Sequence, residues 1–402
     1  MTHTEKNTDK IKYTITANVP GSLCNLRCEY CYVSNCYDEE NETHLKRGEY
    51  KYSLETMLNA FSPKRLGGIC AIGVIGSGET LYDSIVVDFV HGLLKQGHFV
   101  TVVSNLTLDK RIDELLDFPE EYLKRLMLKG SLHWNELKRL NKVDNYFNNI
   151  KKALEKGCSA HPSLAIGDCY VEHLDEIIST SMEKLGVPPH CTPVLVYDEK
   201  QDMIRDGFVK TSPKCDNIFI EKIDGMFKSK VFDLCAKWVD IDPKEVFCYA
   251  GKWSFCVNIG NGNLYKCHSC PSEANFFENL EKMPKLEAIG KNCQLATCAL
   301  QYDFIAQGLI PEQDDKETTF STLMKTKHEV LFNEEFVRLF NFKYYNRYEK
   351  YKKSDELKKN KLVKKQFLAL KNPKDSFLNI FLPIQFVKKI VNAFLGNKKC
   401  QN

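Results

Sequence analysis

Hydrophobic and polar residues alternate from residue 12 to about residue 200 in a pattern that predicts strands separated by amphipathic helices. The strands are expected to begin near Lys12, Cys70, His98, Arg125, Ala160 and Thr192. Residues 81–96, 147–156 and 171–185 carry apolar side chains at helical spacing. Repeated strand–helix units predict parallel strands joined by right-handed crossovers. The spacing fits a partial barrel and an open doubly wound sheet equally well.

Each predicted strand ends in a cluster of polar residues or glycines. In chain order the clusters are the loop from Cys24, the run Gly76–Thr80, then Ser104 and Asn105, Ser131 and His133, Gly167 and Asp168, and Tyr197 and Asp198. Chemistry in β/α barrels collects at the carboxyl ends of the strands. Six such clusters in succession therefore predict a rim that binds a ligand.

The composition limits the class of protein. A chain of 402 residues with 43% hydrophobic residues is long enough for about two domains. Its formal charge of +3 does not by itself indicate a nucleic-acid partner. Seventeen cysteines, an odd number, without an apolar amino-terminal segment predict metal ligands and reduced core thiols rather than disulfides. We therefore expect a cytoplasmic protein, and no apolar run reaches membrane-spanning length.

The first group of cysteines has the spacing C-x3-C-x2-C. It consists of Cys24, Cys28 and Cys31, with Tyr30 immediately before the third cysteine. Three thiolates can hold three corners of a cubane iron–sulfur cluster and leave the fourth iron open for a substrate or cofactor. A structural zinc site needs four protein ligands, and Cys36 would supply the fourth in that alternative.

This motif resembles the cluster motif of the radical S-adenosylmethionine (SAM) superfamily. The resemblance implies a [4Fe-4S] cluster whose open iron binds the amino and carboxylate groups of SAM. It also implies that the strands form an α/β fold of the partial (β/α)6 barrel type. Gly78 and Glu79 resemble the superfamily's glycine–glycine–glutamate motif, with Ser77 in place of the first glycine and Thr80 where proline is common.

The same resemblance implies roles for the residues at the strand ends. Glu79 would receive the amino group of SAM, next to Gly78, whose lack of a side chain allows close backbone approach. The further residues expected to contact SAM are Tyr30, Ser104, Asn105 and Ser131, and Gly167 and Asp168 are expected near its adenine. His133 is more often a hydrogen-bonded structural residue at such a position than a base.

A second group of cysteines lies between residues 248 and 298. Cys248, Gly262 and Cys267 are spaced C-x13-G-x4-C around a predicted hairpin whose turn is Gly-Asn-Gly-Asn. This resembles the opening of the SPASM domain, in a shortened, twitch-like form with one auxiliary iron–sulfur cluster. The resemblance implies that Cys293 and Cys298 complete the four ligands. Cys256 and Cys270 are alternative ligands or buried thiols, and a zinc site of four cysteines is the alternative reading of the group.

The chain divides into five predicted parts. These are an amino-terminal tail (1–11), a radical SAM core (12–200), a bridging region (201–245), an auxiliary cluster domain (246–305) and a helical carboxyl-terminal extension (306–402). Residues 343–371 hold 11 Lys or Arg against 3 Asp or Glu, and residues 376–395 form an amphipathic segment interrupted by Pro383. Such a pair fits an anionic membrane surface, or a solvated basic helix followed by one docked on the core.

The function expected from these resemblances is reductive cleavage of SAM to a 5′-deoxyadenosyl radical that abstracts a hydrogen atom from a substrate. The substrate is expected to be a peptide or protein, or a sugar-type small molecule, that is oxidised or modified. The electron donor would be a flavodoxin or ferredoxin. A peripheral position at the inner membrane surface is the alternative to a free cytoplasmic one. The alternative function is a non-enzymatic zinc protein that binds nucleic acid through its basic segment.

Overall fold

A computed structural model describes residues 11–28, 30–31, 46–166, 168–193, 195–198, 203–206, 242–268, 270–293, 298, 300–313, 318–323 and 331–344. Six strands form its centre: β1 (Thr14–Val19), β2 (Ala71–Gly76), β3 (Phe99–Ser104), β4 (Leu126–Ser131), β5 (Ser159–Ile166) and β6 (His190–Pro193). The helices between them are α1 (Leu54–Ala60), α2 (Pro63–Leu66), α3 (Ile85–Lys95), α4 (Asp109–Leu116), α5 (Glu120–Leu123), α6 (Trp134–Arg139), α7 (Val143–Glu155) and α8 (Leu174–Leu185). A 3-10 helix, Asp168–His173, precedes α8.

The order of the central strands is sequential. Strands β1 to β6 lie side by side in chain order, and each is parallel to the next. A doubly wound sheet has a point where the strand order reverses, and this sheet has none between β1 and β6. The predicted α/β fold is confirmed, and the sequential order is that of a singly wound, barrel-type sheet rather than a doubly wound one.

The sixth strand differs from its prediction. One strand from Thr192 to Asp198 was expected, but β6 ends at Pro193, and residues 195–198 form β7 (Leu195–Asp198) in a separate antiparallel pair with β8 (Met203–Asp206). Proline has no amide hydrogen to donate, which favours the end of a strand at this point. Apolar alternation continues through both strands and does not reveal that their partners differ.

The predicted hairpin joins the central sheet. Strands β9 (Ser254–Asn258), β10 (Asn263–Tyr265) and β11 (Ser272–Asn275) form antiparallel pairs, and β9 lies parallel to β1. Ser254 is beside Thr14, and Asn258 is beside Asn18. The nine-stranded sheet therefore continues from the core into the cysteine-rich part of the chain.

The central sheet has one apolar face and one polar face. The apolar face packs against helices such as α3 through residues that include Ile15, Val102 and Leu128. The alternate positions point to the opposite face. On β1, β4 and β5 that face includes Thr14, Thr16, Asn18, Lys129, Ser159, His161 and Ser163, and it is called the polar face below.

A second apolar cluster closes the amino ends of the strands. It joins Phe99 and Met127 to residues of the carboxyl-terminal region, including Phe336. The carboxyl-terminal helices are α9 (Gln301–Ala306), α10 (Phe320–Leu323) and α11 (Glu334–Asn341), with a 3-10 turn at Pro311–Gln313. The predicted basic segment beyond Tyr344 and the amphipathic segment 376–395 lie outside the described residues.

Candidate functional site

The first three cysteines lie in the loop that follows the carboxyl end of β1. Cys24, Cys28 and Cys31 are partly exposed, and their thiols are near enough to influence one another electrostatically. Burial raises the pKa of Cys24 above its ordinary value. Burial, together with Cys24 and Cys31, raises the pKa of Cys28 to about 12. Cys24 and Cys28 therefore hold their protons unless a coordinated metal displaces them.

The arrangement of the thiols bears on what they can bind. Among the described residues, no group of three or more Cys, His, Asp or Glu side chains could hold a metal ion as it stands. A single ion requires its ligands to converge on one point, whereas a cubane cluster binds each thiolate through a different iron. Three thiols in one short loop fit three corners of a cubane. Cys36, the fourth ligand of the zinc alternative, lies outside the described residues.

The glycine loop after β2 packs directly on the cysteine loop. A Cβ atom on Gly78 would overlap the backbone of Ser22 and Leu23, so no other residue fits there. The Glu79 amide donates a hydrogen bond to the Leu23 carbonyl at 2.8 Å. The glycine of this motif is thus required for contact between two loops of the protein, whatever it does toward a cofactor.

Glu79 is buried and fully engaged by neighbouring donors. Ser104 Oγ and the Leu81 amide donate to Oε1 at 2.7 and 3.0 Å, and the Asn105 amide donates to Oε2 at 2.8 Å. Burial raises the pKa of Glu79, and these three hydrogen bonds oppose that rise. Three of the residues expected to contact SAM therefore meet in one hydrogen-bonded group beside the cysteine loop.

Asn105 connects this group to the first cysteine. Its Nδ2 donates to Asn25 Oδ1 at 2.9 Å and lies 4.0 Å from Cys24 Sγ. Its Oδ1 accepts hydrogen bonds from the Thr107 amide and hydroxyl at 3.1 and 2.6 Å. Thr107 Oγ1 in turn accepts from Asn25 Nδ2 at 2.7 Å. The amide of Asn105 is thereby held next to the Cys24 sulfur, where a donor would stabilise a thiolate.

Tyr30 belongs to a chain of three hydrogen-bonded side chains. The Tyr170 hydroxyl donates a hydrogen bond to the Tyr30 hydroxyl at 2.6 Å. The Tyr30 hydroxyl is also 2.6 Å from His133 Nδ1. Since the Tyr30 oxygen accepts the hydrogen bond from Tyr170, the Tyr30 hydroxyl donates to His133 Nδ1, and we assign the imidazole proton to Nε2. Burial lowers the pKa of His133 to about 4, so the ring is neutral at pH 7. His133 therefore helps to hold the cysteine loop in position through its hydrogen bond with Tyr30.

The start of α6 makes a second contact with that loop. The Arg27 amide donates to Glu136 Oε2 at 2.5 Å, and Glu136 pairs with Arg139 at 2.7 Å. A small cleft of about 170 Å³ opens between these elements. It is lined by Arg27, Cys28, Tyr30, Asn135, Glu136 and Tyr170.

The remaining predicted residues lie farther along the rim. Ser131 ends β4 and is beside Ser163 on β5, on the polar face. Asp168 begins the 3-10 helix that carries Tyr170, while Gly167 lies outside the described residues. None of the contacts described above joins Ser131 to the cysteine loop.

The polar face contains residues that the sequence analysis did not select. Lys129 is beside His161, and the strand registers put this pair at the level of Asn18 and Asn258. Asn18 Nδ2 and Ser254 Oγ are buried and, within the described residues, have no hydrogen-bond partner. Buried polar groups normally have partners, so this face is suited to a polar ligand. Alternation within β1 and β4 could have revealed these residues.

Lys129 faces an acidic residue from another element. Asp303 on α9 has its pKa raised to about 6 by burial, and Lys129 partly offsets that rise. The two side chains do not form a direct ion pair. Lys129 is a hydrogen-bond donor, and Asp303 in its ionised form is an acceptor. A hydroxyl or amide group bound between them could accept a hydrogen bond from Lys129 and donate one to Asp303.

The second group of cysteines contains more thiols than one cluster needs. Burial raises the pKa of Cys248, Cys270 and Cys298, and each is raised further by Cys267 and Cys293. Five thiols therefore lie together. Cys256 on β9 is a different case, because Cys267 is the one thiol that raises its pKa.

The two groups of cysteines lie at opposite ends of the central sheet. Cys24 follows the carboxyl end of β1, and Cys267 lies two residues beyond Tyr265, which pairs with Cys256 near the start of β9. Because β9 is parallel to β1, Cys267 is at the amino end of β1. A six-residue strand spans about 20 Å at roughly 3.3 Å per residue, which sets the scale of their separation.

In the part of the chain that is described, no helix has both the length and the apolar composition needed to cross a membrane.

No family model and no curated protein matches the sequence. Solved structures of radical SAM SPASM-domain enzymes match it over most of its length. Streptococcus suis SuiB bound to S-adenosylmethionine is 12% identical with a TM-score of 0.43, and the match covers 67% of this chain and 62% of SuiB, less than two thirds of that protein. Native anSMEcpe with bound AdoMet and Cp18Cys peptide is 14% identical with a TM-score of 0.43 over 66% of this chain and 78% of that one. BtrN in complex with AdoMet and 2-DOIA is 13% identical with a TM-score of 0.30 over 83% and 89%.

Proposed function

We propose that this chain is a radical SAM enzyme that acts on a polar, hydroxyl- or amide-bearing substrate. The observation that carries the proposal is the loop with Cys24, Cys28 and Cys31 at the carboxyl end of β1, packed against Gly78 and Glu79. A cluster held there would pass one electron to SAM and release methionine and a 5′-deoxyadenosyl radical, which removes a hydrogen atom from the substrate.

The residues around the loop fix its position. Gly78 allows the loop after β2 to contact Leu23, and the Glu79 amide bonds to it. Tyr30 holds the segment between the second and third cysteines against His133. Asn105 presents an amide donor to Cys24. Together these contacts hold the cysteine loop beside Glu79, whose carboxylate would receive the amino group of SAM.

The polar face supplies the substrate site in this proposal. Lys129 would donate a hydrogen bond to a substrate oxygen, and Asp303 would accept a hydrogen bond from a hydroxyl or amide group of the substrate. Peptides and sugars both carry such groups, so the proposal includes both classes. Cys248, Cys267, Cys293 and Cys298 at the other end of the sheet would hold an auxiliary iron–sulfur cluster, with Cys256 and Cys270 as alternative ligands or buried thiols. An external flavodoxin or ferredoxin would supply electrons.

The proposal is tested by measuring 5′-deoxyadenosine and methionine formed from SAM by the reconstituted, chemically reduced protein. Wild type should form both without added substrate. Cys28→Ala should form neither, because it removes one of three ligands. Cys158→Ala is the matched control and should keep the activity, since Cys158 is a buried thiol that directly precedes β5, at the opposite end of the strands from the loop. Equal product from Cys28→Ala and wild type would contradict the proposal.

A further inference from the structure

A buried lysine lies next to the second group of cysteines. The side chain of Lys266 is 3% exposed and directly precedes Cys267. Its nearest acidic partner is Glu273 Oε1, at 3.7 Å, whose side chain is 18% exposed. Burying an ammonium group costs free energy unless a negative charge compensates it. One loose ion pair with a partly exposed carboxylate gives incomplete compensation.

The position of Lys266 is fixed by its aliphatic stem. A Cβ atom on Gly251 would lie 2.9 and 3.0 Å from Lys266 Cγ and Cδ, and it would also collide with the Glu287 carbonyl. Gly251 has a φ of +93°, which favours glycine, and its amide donates to the Ser254 carbonyl at 2.6 Å. The stem therefore packs on the turn that follows Cys248, so the lysine crosses between two cysteine-bearing segments.

The charge of Lys266 acts on the thiols themselves. Its charge is near enough to Cys270 to act on that thiol electrostatically. Among the described side chains, Glu312 also acts on this group, through Cys248, and it lies 3.9 Å from Lys291, whose side chain is 29% exposed. Lys266 is therefore the more deeply buried cation near these thiols.

We propose that Lys266 is a counter-charge for an iron–sulfur cluster at the second group of cysteines and that it raises the reduction potential of that cluster. This inference rests on the auxiliary cluster of the proposed function. Four thiolates carry net negative charge, and reduction adds one electron more. A positive charge fixed in a buried site favours the more negative, reduced form. The lysine would thus make the cluster a better electron acceptor.

The test is a potentiometric titration followed by electron paramagnetic resonance. The chain carries Cys24→Ala, Cys28→Ala and Cys31→Ala together, so that only the second cluster contributes. Lys266→Met should move the midpoint to a more negative potential, and Lys266→Arg should stay near the parent. Glu273→Gln, which removes the opposing charge, should move the midpoint to a more positive potential. Lys285→Met is the matched control, because Lys285 is 88% exposed and 3.9 Å from Glu287, and it should cause no shift.

The outcomes separate this inference from the proposed function. Loss of all iron from the triple variant would overturn the second cluster and this inference with it. Iron retained with an unchanged midpoint in Lys266→Met would overturn the inference alone. If Lys266→Met does not fold, the other two variants test the inference. An unchanged midpoint in Glu273→Gln, or a large shift in Lys266→Arg, would overturn the inference.

Discussion

At the scale of single residues, Glu79 connects the end of β3 to the cysteine loop. Its carboxylate accepts hydrogen bonds from residues at the end of β3 and from its own loop, and its backbone amide donates a hydrogen bond to the cysteine loop. The oxygen atoms are already used by three protein donors, so a cofactor ammonium would share them. Binding and local stability are therefore coupled at this residue.

Removing the Glu79 side chain should destabilise the protein. Glu79→Ala leaves the Ser104 hydroxyl and the Asn105 and Leu81 amides without their acceptor, and an unsatisfied buried donor costs about 1–3 kcal/mol. We expect a loss of at least about 2 kcal/mol in urea unfolding. Glu79→Gln keeps one oxygen and should lose less. The exposed Glu281→Ala is the control, and an equal effect of Glu79→Ala and the control would exclude this role.

Asp303 should make stability depend on pH. Its pKa is raised from 3.8 to about 6, so the folded protein holds the proton more tightly than the unfolded chain. The stability from this proton is complete below pH 3.8 and is lost as the pH rises toward 6. Asp303→Asn remains neutral at every pH. Its advantage over wild type should grow by about 1 kcal/mol between pH 5 and pH 7.

The measurement is urea unfolding of both proteins at several pH values. Asp88→Asn, at an exposed position on α3, is the matched control and should show no such trend. A constant difference between Asp303→Asn and wild type from pH 5 to pH 7 would show that Asp303 is not a buried acid. A buried acidic residue whose ionisation lowers the stability of the fold is typical of a residue that is kept for its function.

The sequence revealed single residues unequally. The spacing of Cys24, Cys28 and Cys31 and the glycine–glutamate pair are local patterns, so they could be selected directly. The contacts of Ser104 and Asn105 with Glu79 depend on adjacent strand ends and had to come from the structure. Lys129 and Asp303 are remote in the chain, and no local pattern joins them.

At the scale of elements, all six central strands begin within two residues of their predicted positions. Each is bounded by turn residues and has its own apolar alternation, which are local signals. The break at Pro193 was not predicted, because apolar alternation shows that a segment is extended but not which strand it pairs with. The parallel pairing of β9 with β1 joins segments about 240 residues apart and has no local signal.

Helix α11 should be anchored by its N-cap residue. The Asn333 side chain accepts from the Phe336 amide at 3.1 Å and donates to the carbonyls of Gly157 and Lys124 at 2.9 and 3.1 Å. Loss of a helix N-cap costs about 1–2 kcal/mol. Asn333→Ala should lose at least that much in urea unfolding, because contacts to the core disappear too.

The comparison for this helix is Ser53→Ala, which removes the exposed N-cap of α1, where Ser53 Oγ accepts from the Thr56 amide at 3.2 Å. The Asn333→Ala loss should exceed the Ser53→Ala loss. The reverse order would mean that Asn333 caps α11 but that its hydrogen bonds to Gly157 and Lys124 do not stabilise the protein.

At the scale of the whole molecule, one sheet carries two groups of cysteines at its two ends. The first group is beside the loops that follow β1, β2 and β3, and the second lies within the apolar cluster that closes the amino ends. The polar face runs between them. In the proposed function, a substrate bound on this face would lie between the two proposed iron–sulfur clusters.

The content of metal in the purified protein tests this account most directly. Protein prepared without oxygen and reconstituted with iron and sulfide should contain about eight irons per chain, as two cubane clusters require. The chain with Cys24, Cys28 and Cys31 all replaced by Ala should contain about four. Stoichiometric zinc in place of iron at both groups, or an iron content unchanged by the triple replacement, would contradict the account.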